Sequence, residues 1–396
     1  MFKSLLAGGV RARRPLDRER APPLPPAAMI RIAFLALAEA HQHLHWIPAA
    51  LRLAAEPGVR VDVLGVSRAG LALVERFDPD RRLALVRLRL PGRRADGLFI
   101  HHPRKLSVLL HHLRLMRYDA IVTTETSSSV VRRLPWFRVP MIHLKHGAGD
   151  SEVGYNDKHR HYDLTLVNGP KDKERLIAKG LALADQIAVV GYAKFELVAP
   201  PARLFGDEKP VALYNPHAKA PGSTWFDHGP AVVAEMERVP GWNFIVAPHV
   251  KLIGGPVVTS DAPNIRIDLG SVASIDMSYT QGADVYVGDS SSQVYEFLRQ
   301  PRPCIFLNLK REEWRGVERF SHWTLGQVIE DIAELGPALG RAAALQPAFA
   351  PLQREAFHRS LDPSEEPAST RQASAILDFV KARARRLASP RHGRAP

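Results

Sequence analysis

Two kinds of hydrophobic spacing alternate along this chain. From Met29 onward, short continuous apolar runs are separated by segments whose apolar positions recur every three or four residues. A continuous run suits a strand buried on both faces, and the helical recurrence suits an amphipathic helix. The runs predict strands at 31–36, 59–64, 120–123, 141–144, 164–167 and 186–190. A second set is predicted at 211–214, 243–247, 265–268, 285–287 and 304–307. Helical patterns lie between them, for instance at 47–55 and 171–179, and a last helix is predicted over 366–387. Strands alternating with helices build parallel sheets covered on both faces. Two such series joined near 198–210 predict an α/β chain of two Rossmann-like domains facing across a cleft. The expected division is a basic, proline-rich segment at 1–28, a first domain at 29–198, a second at 199–362, a helix at 363–387 and a basic tail at 388–396. Met29 opens the first strand directly, so a start there would begin the fold without preamble.

Composition narrows the class. The length of 396 residues suits two α/β domains better than one core. No apolar run reaches the roughly eighteen residues of a membrane span. The first residues lack the apolar centre and cleavage site of a secretory signal, and the single cysteine, Cys304, leaves no internal disulfide. Both fit a cytoplasmic protein. The net charge of +13 is concentrated at the ends, with Arg11, Arg13, Arg14, Arg18 and Arg20 at one and Arg383, Arg385, Arg386, Arg391 and Arg394 at the other. Basic ends either dangle in solvent or hold the protein to an anionic membrane face, which would make it peripheral to the inner membrane. No zinc-ligand spacing or aromatic RNA-binding signature accompanies them, so no specific nucleic acid is expected.

In open parallel sheets, ligands sit at the carboxyl ends of the strands, so the residues just after each run carry the chemistry. His146 and Gly147 follow one first-half strand. An imidazole there can deprotonate a hydroxyl near neutral pH, and glycine lets a substrate approach the backbone. His249 and Lys251 follow a second-half strand and suit a diphosphate; a plain surface loop is the alternative. Asn215, Pro216 and His217 end another second-half strand, where they either border the same cleft or form a surface loop. After 285–287 come Gly288, Asp289, Ser290, Ser291 and Ser292, with a helical pattern and Glu296 beyond. Ser290 and Gln293 are spaced as a capping box, and the same hydroxyls and first-turn amides suit a phosphate. Glu125 lies in a Thr/Ser-rich strand end that either bonds an acceptor or caps a helix. His41, His43 and His45 alternate after the first strand; with no acidic or cysteine partner at ligand spacing, they read as cleft lining or N-terminal helix contacts, and no metal is expected. The sequence has no Walker phosphate loop, no Gly-x-Gly-x-x-Gly after the first strand and no Gly-x-Ser-x-Gly elbow.

Taken in order, these pieces resemble the CDP-glycerol glycerophosphotransferase family, the teichoic-acid polymerase and primase type. The resemblance rests on His146-Gly147, on Gly191-Tyr192-Ala193-Lys194, on Tyr214-Asn215-Pro216, on His249, and on Asp289-Ser290-Ser291-Ser292 with Glu296-Phe297 following. It covers roughly 141–308. Ser290 stands where that family has an aromatic residue, Val250 where it has proline, and the Thr-Trp-Arg that follows Tyr-x-Pro there is missing.

The resemblance implies a GT-B fold, with an acceptor domain at 29–198 and a nucleotide-donor domain at 199–362. It implies a cytoplasmic transferase of cell-surface glycan or glycolipid synthesis. An acceptor hydroxyl, deprotonated by His146, would attack the β-phosphorus of CDP-glycerol and release CMP. Asp289, Ser290, Ser291, Ser292, Glu296, Asn215 and Lys251 would bind donor phosphate or nucleotide, with His249 stabilising charge. Gly147, Glu125 and His43 would lie on the acceptor side, facing a glycan or lipid-linked acceptor. No cofactor is implied. A nucleotide-sugar glycosyltransferase or UDP-sugar 2-epimerase would use the same diphosphate seat, and an inactive nucleotide-binding scaffold would keep it without turnover.

Overall fold

A computed structural model describes residues 29–90, 97, 103–201, 203–252 and 254–388. The expected segment at 1–28 and all but the first residue of the expected tail at 388–396 lie outside the described residues. The first sheet is built from β1 (Ile30–Ala36), β2 (Val59–Gly65), β3 (Ala84–Arg87), β4 (Ala120–Thr123), β5 (Met141–Leu144), β6 (Leu164–Val167) and β7 (Ile187–Val189). The second has β8 (Val211–Asn215), β9 (Asn243–Val246), β10 (Ile265–Ile267), β11 (Val285–Gly288), β12 (Cys304–Leu307) and β13 (Gln327–Ile329). Their spatial orders are β3-β2-β1-β4-β5-β6-β7 and β10-β9-β8-β11-β12-β13, with every pairing parallel. The order reverses between β1 and β4 in one sheet and between β8 and β11 in the other. A crevice opens at such switch points, because successive connections leave to opposite faces.

The helices among the described residues are α1 (Ile47–Ala54), α2 (Arg68–Arg76), α3 (Arg104–Leu110), α4 (His112–Leu115), α5 (Pro170–Ala178), α6 (Trp225–Arg238), α7 (Ser278–Gly282), α8 (Val294–Phe297), α9 (Leu335–Leu361) and α10 (Ala368–Ala388). Interior strands β4, β5, β6 and β12 are buried throughout, which is why they are mostly apolar, with Thr123, His143 and Thr165 as buried polar exceptions. Two strands that the apolar runs do not predict, β3 and β13, lie at sheet edges. No residue of β3 is fully buried, so its sequence needs no apolar run. The pattern also misses α9, whose internal Pro347 and Pro351 read against a helix.

The last two helices tie the halves together. α9 starts in the second core through Leu335, Ala338, Leu339 and Ala342. α10 returns to the first core, where Ala373, Ile376, Leu377 and Val380 pack with Phe34, Ile47 and Leu53. The reversal between them uses Asp362 in the left-handed region, at φ 41°. Arg371 clamps that corner by donating to the Asp362 carboxylate at 2.6 Å and to its carbonyl at 2.7 Å. Gly191, just after β7, has φ 74°, and a Cβ there would collide with the Arg371 guanidinium. Gly191→Ala is therefore expected to lower stability by about 1–3 kcal/mol through backbone strain and loss of the clamp. A urea titration reads this as a lower midpoint at unchanged slope.

Candidate active site

The carboxyl ends of both sheets open into one cleft of about 450 Å³. After β1 the chain coils into a 3-10 turn, Ala40–His45, that brings His41 and His45 to the cleft wall. The residues after β4 and β5 add Thr124, Glu125, His146 and Gly147, and those after β7 add Tyr192 and Lys194. The second half contributes His217 after β8, His249 and Lys251 after β9, and Ser290, Ser292 and Glu296 after β11. The two halves touch closely: a Cβ on Gly149 would lie 2.9 Å from the Ser292 Cβ.

Hydrogen bonds fix opposite tautomers on the two leading histidines. His146 Nδ1 lies 2.7 Å from the Thr124 carbonyl oxygen. A carbonyl can only accept, so Nδ1 carries the proton and Nε2 keeps a free lone pair. His249 Nδ1 accepts from the Lys251 backbone N–H at 3.1 Å. Its proton therefore sits on Nε2, as a donor. His217 follows His249, with Nδ1 accepting from the Lys219 N–H at 3.3 Å. The His41 ring stands 5.5 Å from that of His249 and 6.3 Å from that of His146, and the His45 ring is 6.1 Å from His146.

Six histidines line the cleft, and all are held below the ordinary value near 6.5. Burial is the first cause in each. Lys251 adds to it for His146, and Lys251 then His217 bring His249 to about 3. The imidazoles are thus neutral at pH 7, one offering a lone pair and two offering N–H groups. Positive charge comes from Lys194, Lys251 and Arg104, each tied to a carboxylate. Lys194 pairs with Glu296 at 2.7 Å, with Tyr192 donating to the same oxygen at 2.5 Å. Lys251 pairs with Glu39 at 3.3 Å, and Arg104 reaches the same carboxylate at 2.6 Å. Among the described residues no group of His, Cys, Asp and Glu is arranged to hold a metal ion.

Several expected site residues stand behind the cleft wall. His43 is buried, tilts against the Trp46 ring at 5.6 Å and is absent from the cleft lining, which takes His41 and His45 instead. An alternating pattern shares one face only in a strand; in a helical turn the middle residue rotates away. The expected cap at Ser290 does not form, because α8 begins only at Val294. Residues 289–293 form an irregular turn, and its side chains diverge. Ser290 lines the cleft with its hydroxyl donating to the Gly222 carbonyl at 2.7 Å, Ser291 turns inward to Asn215 at 2.7 Å, and Ser292 lines the cleft. Asn215 is itself buried, donating to the Ala247 carbonyl at 2.6 Å. Asp289 accepts from the backbone N–H groups of His217 at 2.8 Å and Thr224 at 2.7 Å, so it shapes the His217 loop from beneath. Glu125 reaches the wall, but its carboxylate accepts from Ser127 N at 2.6 Å and from the Ser127 and Ser128 hydroxyls. Lys194 and Arg104 also line the site; the first lies in the Gly191-Tyr192-Ala193-Lys194 motif, whereas the second comes from α3 and gives no strand-end signal.

Neither a protein-family profile nor a curated protein sequence matches this chain. Solved structures do. MnaA from S. aureus with UDP matches at a TM-score of 0.61 and 11% identity, covering 89% of this chain and 97% of that one. The wall teichoic acid polymerase TagF matches at 0.58 and 11%, covering 90% of each chain. The calicheamicin glycosyltransferase CalG4 matches at 0.51 and 16%, covering 91% and 100%. At these identities the likeness shows the fold: two Rossmann-like domains in the GT-B arrangement.

The cleft histidines make stability depend on pH with a definite sign. Each binds its proton more weakly folded than unfolded, so the unfolded chain gains protons first as pH falls. Their contribution is complete above about pH 6.5 and is lost progressively on acidification, for His249 down to about 3. The melting temperature is expected to fall between pH 7 and 5, where few carboxylates titrate. Replacing the buried His143 by Gln should flatten that slope in a series of thermal melts; an unchanged slope would show that His143 is not one of its sources.

Proposed function

We propose that this chain is a GT-B transferase acting on a nucleotide-activated donor in the synthesis of a cell-surface glycan or glycolipid, with glycerophosphate transfer from CDP-glycerol as its specific reaction. The observation that carries the reading is the pair of opposed tautomers, with a lone pair on His146 and an N–H on His249 in one cleft. One can take a proton while the other donates to a developing oxyanion, which is what displacement at phosphorus asks of a site.

In this mechanism the acceptor hydroxyl loses its proton to His146 Nε2. Its oxygen forms a bond to the β-phosphorus of CDP-glycerol. The bond from that phosphorus to the bridging oxygen breaks, and CMP leaves with the electron pair. His249 and His217 donate to phosphate oxygens, with Ser292 beside them, and Lys251 and Lys194 supply positive charge. Glu296, already bound to Lys194 and Tyr192, holds the rim of the seat. The short α8 makes side chains, rather than a helix terminus, the phosphate partners. Attack at a sugar carbon of a UDP-sugar, or epimerisation of one, is the second reading. It is favoured by the UDP-bound MnaA structure and by a UDP-GlcNAc 2-epimerase from Neisseria meningitidis bound to UDP-GlcNAc, each spanning 89% of this chain. No described helix is long and apolar enough to cross a membrane, and the proposed location is the cytoplasmic side.

Thermal stabilisation by CMP, CDP, CDP-glycerol, UDP, UDP-GlcNAc and GDP tests the donor. A ligand held only by the native state at a hundredfold its dissociation constant adds about 2.7 kcal/mol. Cytidine preference supports the first reading, UDP preference the second, and no response to any nucleotide points to a scaffold. With donor and acceptor in hand, His146→Ala is expected to cut turnover by about 10²–10⁴ while the nucleotide still stabilises the protein. Full turnover would remove His146 as the base. In the wild type the acid limb of kcat/KM should lie well below pH 6.5, because the base is held neutral by burial.

A further inference from the structure

α3 packs on the 3-10 segment Ser127–Arg133, with Ser107 and Val108 buried, and Leu115 of α4 joins the same core beside Val108 and Val131. Their outer face breaks the usual rule for a surface helix. Leu106, Leu110, Leu113 and Met116 follow one another at spacings of four, three and three residues, and all are exposed, Leu113 by 68%. Trp136 is 53% exposed, and its ring lies 6.1 Å from that of His112, so it extends the same apolar surface. Monomeric surfaces seldom leave so many large side chains together.

Basic residues predominate around them, with the exposed Asp119 at the end of the helices and Asp163 paired with Arg132 as the acidic neighbours. Residues 104–118 contain Arg104, Lys105, Arg114 and Arg117 and no acidic residue. Residues 126–140 contain Arg132, Arg133 and Arg138, again with no acidic residue. α10 adds to them: Arg383 donates to the Arg138 carbonyl at 3.1 Å, bringing the basic end of that helix to the same edge. Leucines and a tryptophan flanked mainly by cations form the composition of an interfacial helix, which sinks its apolar side chains at the headgroup boundary and meets anionic lipid with its charges. A second copy of the same face would bring cation against cation.

We propose that the outer face of α3–α4, with Trp136 and its flanking arginines, docks on an anionic lipid bilayer. This surface takes in Arg383 from the C-terminal basic stretch, but its apolar residues come from α3, α4 and Trp136. It runs to the rim of the cleft, because Arg104 at the start of α3 and Ser127 beneath it both line the cleft. The docking itself does not require the transferase reading. Joined to that reading, it delivers a lipid-linked acceptor to His146 from the side, along the membrane plane.

Flotation of the full chain with phosphatidylglycerol-containing vesicles, against phosphatidylcholine vesicles, tests this without any turnover. The wild type is expected to favour the anionic vesicles by at least about tenfold, less so in high salt. The pair Leu113→Asp and Trp136→Asp, and separately Arg114→Glu with Arg117→Glu, should each reduce that binding by about tenfold or more at unchanged melting temperature. Binding that survives both pairs of substitutions, or a wild type that floats with neither vesicle, overturns the proposal. So does a wild-type dimer that the apolar pair converts to monomer, since the face would then be covered by a second copy. Nucleotide stabilisation measured on the same variants reports the donor site independently.

Discussion

Charge withdrawn from water has to be matched within the protein, and here the matching runs across the cleft. Glu39 of the first half is reached by Lys251 of the second. Glu296 of the second half is held by Lys194 and Tyr192 of the first. Asp150 of the first half accepts from Tyr295 at 2.7 Å and lies 3.1 Å from His322 Nδ1, both in the second half. These three carboxylates are no more than 6% exposed. Pulling the halves apart would strip each of a partner that lies across the cleft. The relative placement of the two sheets, and with it the width of the cleft, rests on these contacts as well as on apolar packing.

The same contacts explain how a cleft crowded with basic side chains keeps its histidines neutral. Lys251 is anchored by Glu39 close to His41, His146 and His249 and disfavours a second positive charge beside it. With proton number fixed, proton position becomes the variable, and the backbone decides it. A carbonyl at Thr124 makes one ring a base, and an amide at Lys251 makes the other a donor. The division of labour is written in main-chain geometry and would survive many changes of neighbouring side chains.

Most of the strand framework was legible in the sequence, because strands buried on both faces are largely apolar. The strand-end rule then led to His146, His249, Lys251, Ser292 and Glu296, all of which the fold brings to one cleft. What the sequence withheld was direction. Ser290, Ser291 and Ser292 are consecutive, yet Ser290 lines the cleft with its hydroxyl tied to Gly222, Ser291 turns away to Asn215 and Ser292 lines the cleft, a distinction made by turn dihedrals alone. His43 was misplaced for the same reason: its neighbours at 41 and 45 face the cleft because the chain coils there. Edge strands β3 and β13 need only partial burial and leave a weak signature. Arg104 arrives from a helix distant in sequence from any strand end, and local spacing cannot reveal such a residue.

The return of α10 to the first core has a consequence for the order in which this protein can be made. A chain leaves the ribosome from its N-terminus, and domains usually close as they emerge. Here the apolar surface around Phe34, Ile47 and Leu53 is covered in part by Ile376, Leu377 and Val380. Those residues emerge after the whole second sheet. The half that is synthesised first is the half that is sealed last, and its core waits, partly uncovered, through the synthesis of everything between.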